Sequence, residues 1–442
     1  MQSKVSLRRI TRLVACLLLA AAILGCSAPG RAPSGPITLR VAYYPNIVDL
    51  KPLLEEYARA HPGLTIETFE LTESNYPSMI DEIGKGALDV VRESPEILLG
   101  DIRKGNFEPL GGYIESGDWG KFLNDYYTGV WEGLVVDGQQ YGVPASLDMY
   151  VTYVNRDIFE RAGIEPPAAG WTIDDLVEKA AAVNQPDGQP GGDPPVVYGF
   201  GTYYLSPDPV IFTYLHDAAI VDDFSRPTQA FLDSEPTMEA LRFYSSLVGE
   251  HQFSPTAGKL GIYFGYAGIP VAAMQGFCAM WFDLFSKRGV TMDSSGVMQK
   301  WDFNWQVLPL PRDAKEVSLG NVDGYYIPAT SLHKREAHDL IRWLADQPKA
   351  VGSRFPARRS LVQDAWYRAQ IGERMADAGN LAAENLVMMP NVYGRYGPQG
   401  VLKVLYDALR SMETGDDPTA VLQKAQSEAV AVIQKAQQVE EK

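Results

Sequence analysis

Cysteine is nearly absent, with 3 in a chain of 442 residues. Cys16 lies within an N-terminal apolar leader and Cys26 at its end, so the body keeps Cys278 alone and can form no intrachain disulfide. Histidine is equally scarce: His61, His216, His251, His333 and His338 are scattered, and none forms the i,i+4 pair around a Glu that a zinc protease needs. His333 and His338 read as surface residues at a helix start. No Gly-x-x-x-x-Gly-Lys-Ser/Thr loop is present, and Ser294-Ser295-Gly296 lacks the first glycine of a nucleophile elbow. Cys278 sits in the apolar run Gly276 to Phe282 and reads as a buried, inert thiol. Metal, cofactor and catalytic site are therefore all expected to be none. Positive charge is also short, with 39 Lys and Arg against 55 Asp and Glu and a net charge of −16. Nucleic acid and anionic membrane surfaces need clustered basic residues, so both are excluded as partners. No apolar run reaches the length of about 18 residues expected of a membrane-spanning helix.

What basic charge there is gathers at the start. Lys4, Arg8, Arg9 and Arg12 precede the first acidic residue, and the apolar run Leu13 to Leu24 follows. That run is too short for a bilayer core of about 30 Å, so residues 1–25 read as a secretory signal peptide. Its end, Ile23-Leu24-Gly25-Cys26, resembles a bacterial lipobox, in which the cysteine is acylated and becomes the mature N-terminus. Residues 26–36, small and rich in proline, would then be a tether to the membrane. Loss of the leader removes four basic residues and no acidic ones, leaving a body more acidic than the whole chain.

The body opens with alternating strand and helix. Ile37 to Tyr44 is a strand, Asp49 to Ala60 a helix stopped by Pro62-Gly63, and Leu64 to Phe69 a second strand. A helix from Tyr76 to Lys85 and a short strand, Leu88 to Val91, complete two βαβ units, whose strands should be parallel. In such sheets ligands sit at the carboxyl ends of strands, which singles out Tyr43, Tyr44 and Asn46, and Arg92, Glu93 and Ser94. The extended stretch Ala145 to Tyr153 reads as a crossing between lobes. A helix capped by Thr172 runs to Val183, and others are expected at 237–248, 335–346, 400–412 and 418–438. No repeat of fixed period is present.

Aromatic residues are plentiful, with 23 Tyr and 8 Trp, and many stand beside Asp, Asn or Glu. Asp148-Met149-Tyr150, Trp281-Phe282-Asp283, Asp323-Gly324-Tyr325 and Asn391 to Tyr396 are examples. A neutral polyhydroxylated ligand needs both kinds of residue, because sugar rings pack on aromatic planes and their hydroxyls need acceptors and planar donors. Tyr and Trp also fill cores; Trp171, Trp301 and Trp305 read as core or helix-start packing.

Several segments together resemble the bacterial extracellular solute-binding proteins of family 1. They are Tyr141-Gly142-Val143-Pro144, Tyr153 to Gly163, Trp171 to Leu176, Phe231 to Pro236 with Glu239 to Tyr244, Gly276 to Asp283, Val307 to Pro311, Gly320 to Gly324 and Pro356 to Ser360. The resemblance implies an α/β, two-lobe periplasmic-binding-protein-like fold (type II), hinged, with mixed sheets flanked by helices. It implies a first lobe from 37–146 and 321–370 and a second from 147–320 and 371–442. The function implied is that of an extracytoplasmic, lipid-anchored and monomeric receptor of an ABC importer, which captures a sugar or polyol and presents it to the permease transmembrane subunits. Carried over by position, the substrate contacts are Tyr43, Tyr44, Asn46, Arg92, Glu93, Asp148, Trp281, Asp283, Asp323, Tyr325, Tyr393 and Tyr396, with stacking by Trp281. Two alternatives differ in chemistry. Thiaminase I enzymes share the fold but need a nucleophilic Cys after the Tyr-Gly-x-Pro element, where this chain has Asp148. An amine or peptide binder could cage a cation between carboxylates and aromatics; Arg92 beside Glu93 argues against a purely cation-selective pocket.

Overall fold

The β-branched and aromatic segment at the start of the body forms β1 (Ile37–Tyr43), followed by α1 (Lys51–Ala60), β2 (Leu64–Glu70), α2 (Tyr76–Gly84) and β3 (Val90–Glu93). This computed structural model describes residues 36–440 apart from 73, 117–118, 189–191, 193–194, 204, 224–226, 265–267, 293–296 and 389–399. The leader, Cys26, Ser294 to Gly296, Tyr393 and Tyr396 lie outside the described residues. β1 is parallel to both β2 and β3, as two βαβ units require. In α1 the helical spacing buries Leu53, Leu54 and Tyr57, and the Asp49 carboxylate accepts the Lys51 N–H at 3.1 Å. β3 begins two residues later than the sequence suggests. Asp89 is drawn out of it, accepting the Arg40 N–H at 2.9 Å and the Ser331 hydroxyl at 2.6 Å. The shift places Arg92 and Glu93 inside the strand, immediately before α3 (Pro95–Arg103).

Next come β4 (Gly142–Asn155), α4 (Arg156–Ala162), α5 (Ile173–Val183), α6 (Asp208–Leu215) and α7 (Glu235–Gly249). Then follow β5 (Met280–Leu284), β6 (Trp305–Leu308), β7 (Ser318–Tyr326), α8 (Lys334–Leu344), β8 (Phe355–Pro356), α9 (Glu373–Glu384), β9 (Leu386–Met388), α10 (Val401–Glu413) and α11 (Pro418–Glu440). Local chemistry explains several boundaries. The Asn155 side chain caps α4, accepting the N–H groups of Asp157 and Ile158, and Gly163 closes that helix at φ 68°. Thr172 and Asp175 form a reciprocal capping box at the start of α5.

Among the described residues nine strands make one sheet, in the order β6-β4-β7-β3-β1-β2, with β5 and β8 also on β4 and β9 on β7. β4 is 14 residues long, about 46 Å of extended chain. Its first half pairs with β7 and β8, its second with β5 and β6. β7 runs antiparallel beside it, meeting β3 at one end and β9 at the other. The buried apolar side chains gather in two clusters. One packs around β1, β2, β3 and α8; the other around α5, α6, α7, α10 and α11. β4 and β7 pass from one to the other, and the register between them shifts at Asp323/Gly324. The expectation of a surface position fails for His338: it is 6% exposed and stacked on Tyr113 at 5.0 Å. It lies on the inner face of α8 with Ala337, Leu340 and Ile341, and burial holds its pKa below the usual histidine value. Cys278 is buried and free, as expected, and burial raises its thiol pKa.

Candidate ligand-binding site

The paired middle of β4 and β7 carries a buried charged cluster. Asp148 on β4 and Asp323 on β7 are 4% and 3% exposed, in a sheet interior where carboxylates are rare without partners. Asp323 accepts a hydrogen bond from Arg354 Nη1 at 2.6 Å and lies 3.7 Å from Arg92 Nη2. Asp148 accepts the Ser286 N–H at 3.0 Å and the Ser286 hydroxyl at 2.6 Å, with Arg354 Nε 3.9 Å away. Ser286 belongs to the 3-10 turn Phe285–Lys287 that follows β5, so these bonds tie that turn to β4. Arg354 enters from the segment before β8. Gly352, at φ +71°, makes that approach possible: a Cβ there would come within 2.2 Å of the Ile47 carbonyl oxygen.

Four carboxylates act on the Arg354 guanidinium. Burial works against the charge on Arg354, but Asp323, Asp148, Glu93 and Glu96 together hold its pKa above the usual value. Burial raises the Asp148 carboxyl, opposed by Arg354 and by the bonds from Ser286. Glu93 and Glu96 are both pushed up to about 7 by burial, with Asp323 adding to the rise and Arg354 opposing it. Glu93 Oε1 accepts the Ser94 N–H at 2.8 Å, whereas Oε2 is buried without a hydrogen-bond partner. Beside it is a cavity of about 10 Å³ lined by Tyr44, Ile47, Val48, Arg92, Glu93 and Asp323, enough for about one water molecule. Among the described residues no three His, Cys, Asp or Glu side chains are placed to hold a metal ion.

The structure brings together Tyr44, Arg92, Glu93, Asp148 and Asp323 of the expected contacts. Arg92 is there in a supporting role. Its guanidinium donates to the Ala350 carbonyl and the Ser146 hydroxyl, both at 2.7 Å, and lies over the Tyr325 ring. The others are placed differently. Asn46 is exposed in the turn after β1, and Tyr43 and Tyr325 are fully buried. Trp281 is also 0% exposed, stacked on Tyr153 at 5.6 Å with the edge of Trp301 at 5.3 Å. In this conformation it offers no open face. Asp283, two residues on, accepts the Leu284 N–H at 2.8 Å and is pushed up to about 6 by burial, with a small contribution from Asp148. Sequence reasoning missed Arg354, Glu96 and Ser286. A signal existed for the first: four expected carboxylates, Glu93, Asp148, Asp283 and Asp323, against Arg92 alone left the expected site short of a cation. Glu96 follows Glu93 at a spacing of three, and no pattern marks Ser286.

Comparison with known proteins agrees with this architecture. Residues 44–350 match the family model for bacterial extracellular solute-binding proteins, and the chain belongs to that family. The family is one of substrate-binding proteins, not of enzymes. A putative binding protein of Brucella abortus is 26% identical over 51% of this chain, and the match spans only about half, 53%, of that relative. A mannitol-binding protein of Pseudomonas aeruginosa is 28% identical over 37% of each chain. The solved structure of the sugar-binding protein MalE from Xanthomonas citri superposes with a TM-score of 0.71 at 16% identity, covering 92% of this chain and 100% of that one. The fold is therefore that of the two-lobe periplasmic binding proteins.

Proposed function

We propose that this protein is the extracytoplasmic receptor of an ABC importer, capturing a carbohydrate or polyol between two lobes and delivering it unchanged to the permease. The observation that carries the reading is the buried cluster of Asp148, Asp323, Glu93 and Arg354 beside Tyr44, where two strands pass between the apolar clusters. Carboxylates and a planar guanidinium are the acceptors and forked donors that vicinal hydroxyls need, and a tyrosine at the rim can cover a ring face. The lobes would be 37–146 with 321–370, and 147–320 with 371–442, hinged where β4 and β7 cross. Trp281 and Asp283 would complete the second lobe's contribution only after a repacking of the aromatic cluster. Acylation at Cys26 would anchor a monomer to the membrane through residues 26–36. The names of the mannitol- and sugar-binding proteins that this chain resembles support the solute class.

Protein extracted from membranes tests the reading in two steps. Mass spectrometry is expected to find an acylated Cys26, and an unmodified chain beginning at Ser27 would remove the anchor. Calorimetry against hexoses, hexitols, disaccharides, polyamines and thiamine is expected to give heat with a sugar or polyol. Asp148→Asn should weaken that binding by about tenfold or more, because a buried polar contact to ligand is lost. Heat from a polyamine or thiamine alone overturns the carbohydrate assignment.

A further inference from the structure

The two arginines of the cluster are already engaged. Arg92 donates to Ala350 and Ser146 and faces Asp323; Arg354 donates to Asp323 and faces Asp148. Asp148 has in addition both donors of Ser286. Glu93 and Glu96 remain, at the junction of β3 and α3, and no cation pairs directly with either among the described ion pairs. Glu93 is 6% exposed, and its unpartnered Oε2 belongs to a side chain that borders the cavity beside Tyr44. A carboxylate oxygen left buried and unmet is costly, so the position is poor as a purely structural one.

We infer that the ligand group received at Glu93 and Glu96 is a cationic nitrogen, so that the solute is an amino sugar or amino polyol rather than its neutral hydroxyl counterpart. The inference rests on the carbohydrate reading above and refines it. A hydroxyl would satisfy one lone pair of Glu93 and no more; an ammonium satisfies the lone pair and also stabilises the ionised form of the carboxyls that burial disfavours. A hydrogen bond to a carboxylate is strengthened by the one charge, and an ammonium donor adds the direct attraction of opposite charges. The chain's own guanidinium already sits among these carboxylates, and Glu93 and Glu96 both act on it. Tyr44, bordering the same cavity, offers a π face that also favours a cation.

The test is calorimetric titration of the native protein with hexoses, hexitols and disaccharides, each beside its amino-deoxy and N-acetylamino counterparts. The amino form is expected to bind about tenfold tighter than the hydroxyl form, and acetylation, which removes the charge, should abolish that advantage. The advantage should also collapse in Glu93→Gln and Glu96→Gln, and the acetylated ligands provide the same comparison without any substitution. Equal or tighter binding of the hydroxyl forms refutes the inference and leaves the carbohydrate reading intact. Failure of every member of all three series refutes both.

Discussion

Arg354 and Trp281 show how burial decides what a side chain can do. The guanidinium is 15% exposed and is held by Asp323 and Asp148 from two different strands, so it fixes both acceptors in place as well as neutralising them. Its identity follows from geometry: a planar fork can face two carboxylates, which a lysine ammonium does less well. Trp281 illustrates the opposite case. Its place beside Asp283 suggests a stacking platform, but the structure encloses it with Tyr153, Trp301 and Phe303. Trp281→Ala is therefore expected to cost about 3–5 kcal/mol of stability in urea unfolding, as buried aromatic truncations do. An unchanged unfolding midpoint together with lost ligand affinity would return Trp281 to the pocket.

The junction of β3 and α3 is the element on which the site depends most. The strand ends at Glu93, which borders a cavity, Pro95 starts the helix, and Glu96 lies in its first turn. Both carboxyls stand at about 7 in the folded chain, against an ordinary value of 4.5. The neutral form is thus favoured by folding. The associated stability is fully present below about 4.5 and is lost as pH rises through about 7. The groups facing them, Asp323 and Arg354, act in opposite directions, and burial decides the sign. In the ligand-free protein Glu93→Gln/Glu96→Gln is expected to raise the melting temperature by a few degrees at pH 8 and hardly at pH 5, measured by calorimetry. An equal rise at both pH values would show that charge burial is not the cause.

For the whole molecule, the cavity at the cluster, about 10 Å³, is far below the several hundred Å³ that small-molecule sites occupy. On the proposed lobe bounds a solute enters only if the lobes part, and the contacts that resist parting include Arg288 to the Ser353 carbonyl, Arg359 to Glu384, Tyr127 to Asn380 at 2.6 Å and the ring of Phe285 against Phe355 at 5.1 Å. Arg288→Ala combined with Arg359→Ala should shift the ligand-free population towards an open form, seen as a larger radius of gyration in small-angle X-ray scattering. Ligand should restore the smaller value; an unchanged radius would mean that apolar packing, not these bonds, holds the closed state. The sequence by itself determined the alternation of β1 to β3, the capped helices α4 and α5, the long crossing strand and the family. These depend on periodicity, caps and order along the chain, which are local properties. It also marked Glu93, at the carboxyl end of the third strand, and Asp148 and Asp323, through their aromatic neighbours and the family resemblance. Only the tertiary structure decided that Arg354, some 200 residues from Asp148, meets it, that Arg92 turns to backbone carbonyls, and that Trp281 and His338 are enclosed. Those outcomes depend on which surfaces meet across the sheet and on how much water remains between them, and no local pattern encodes either.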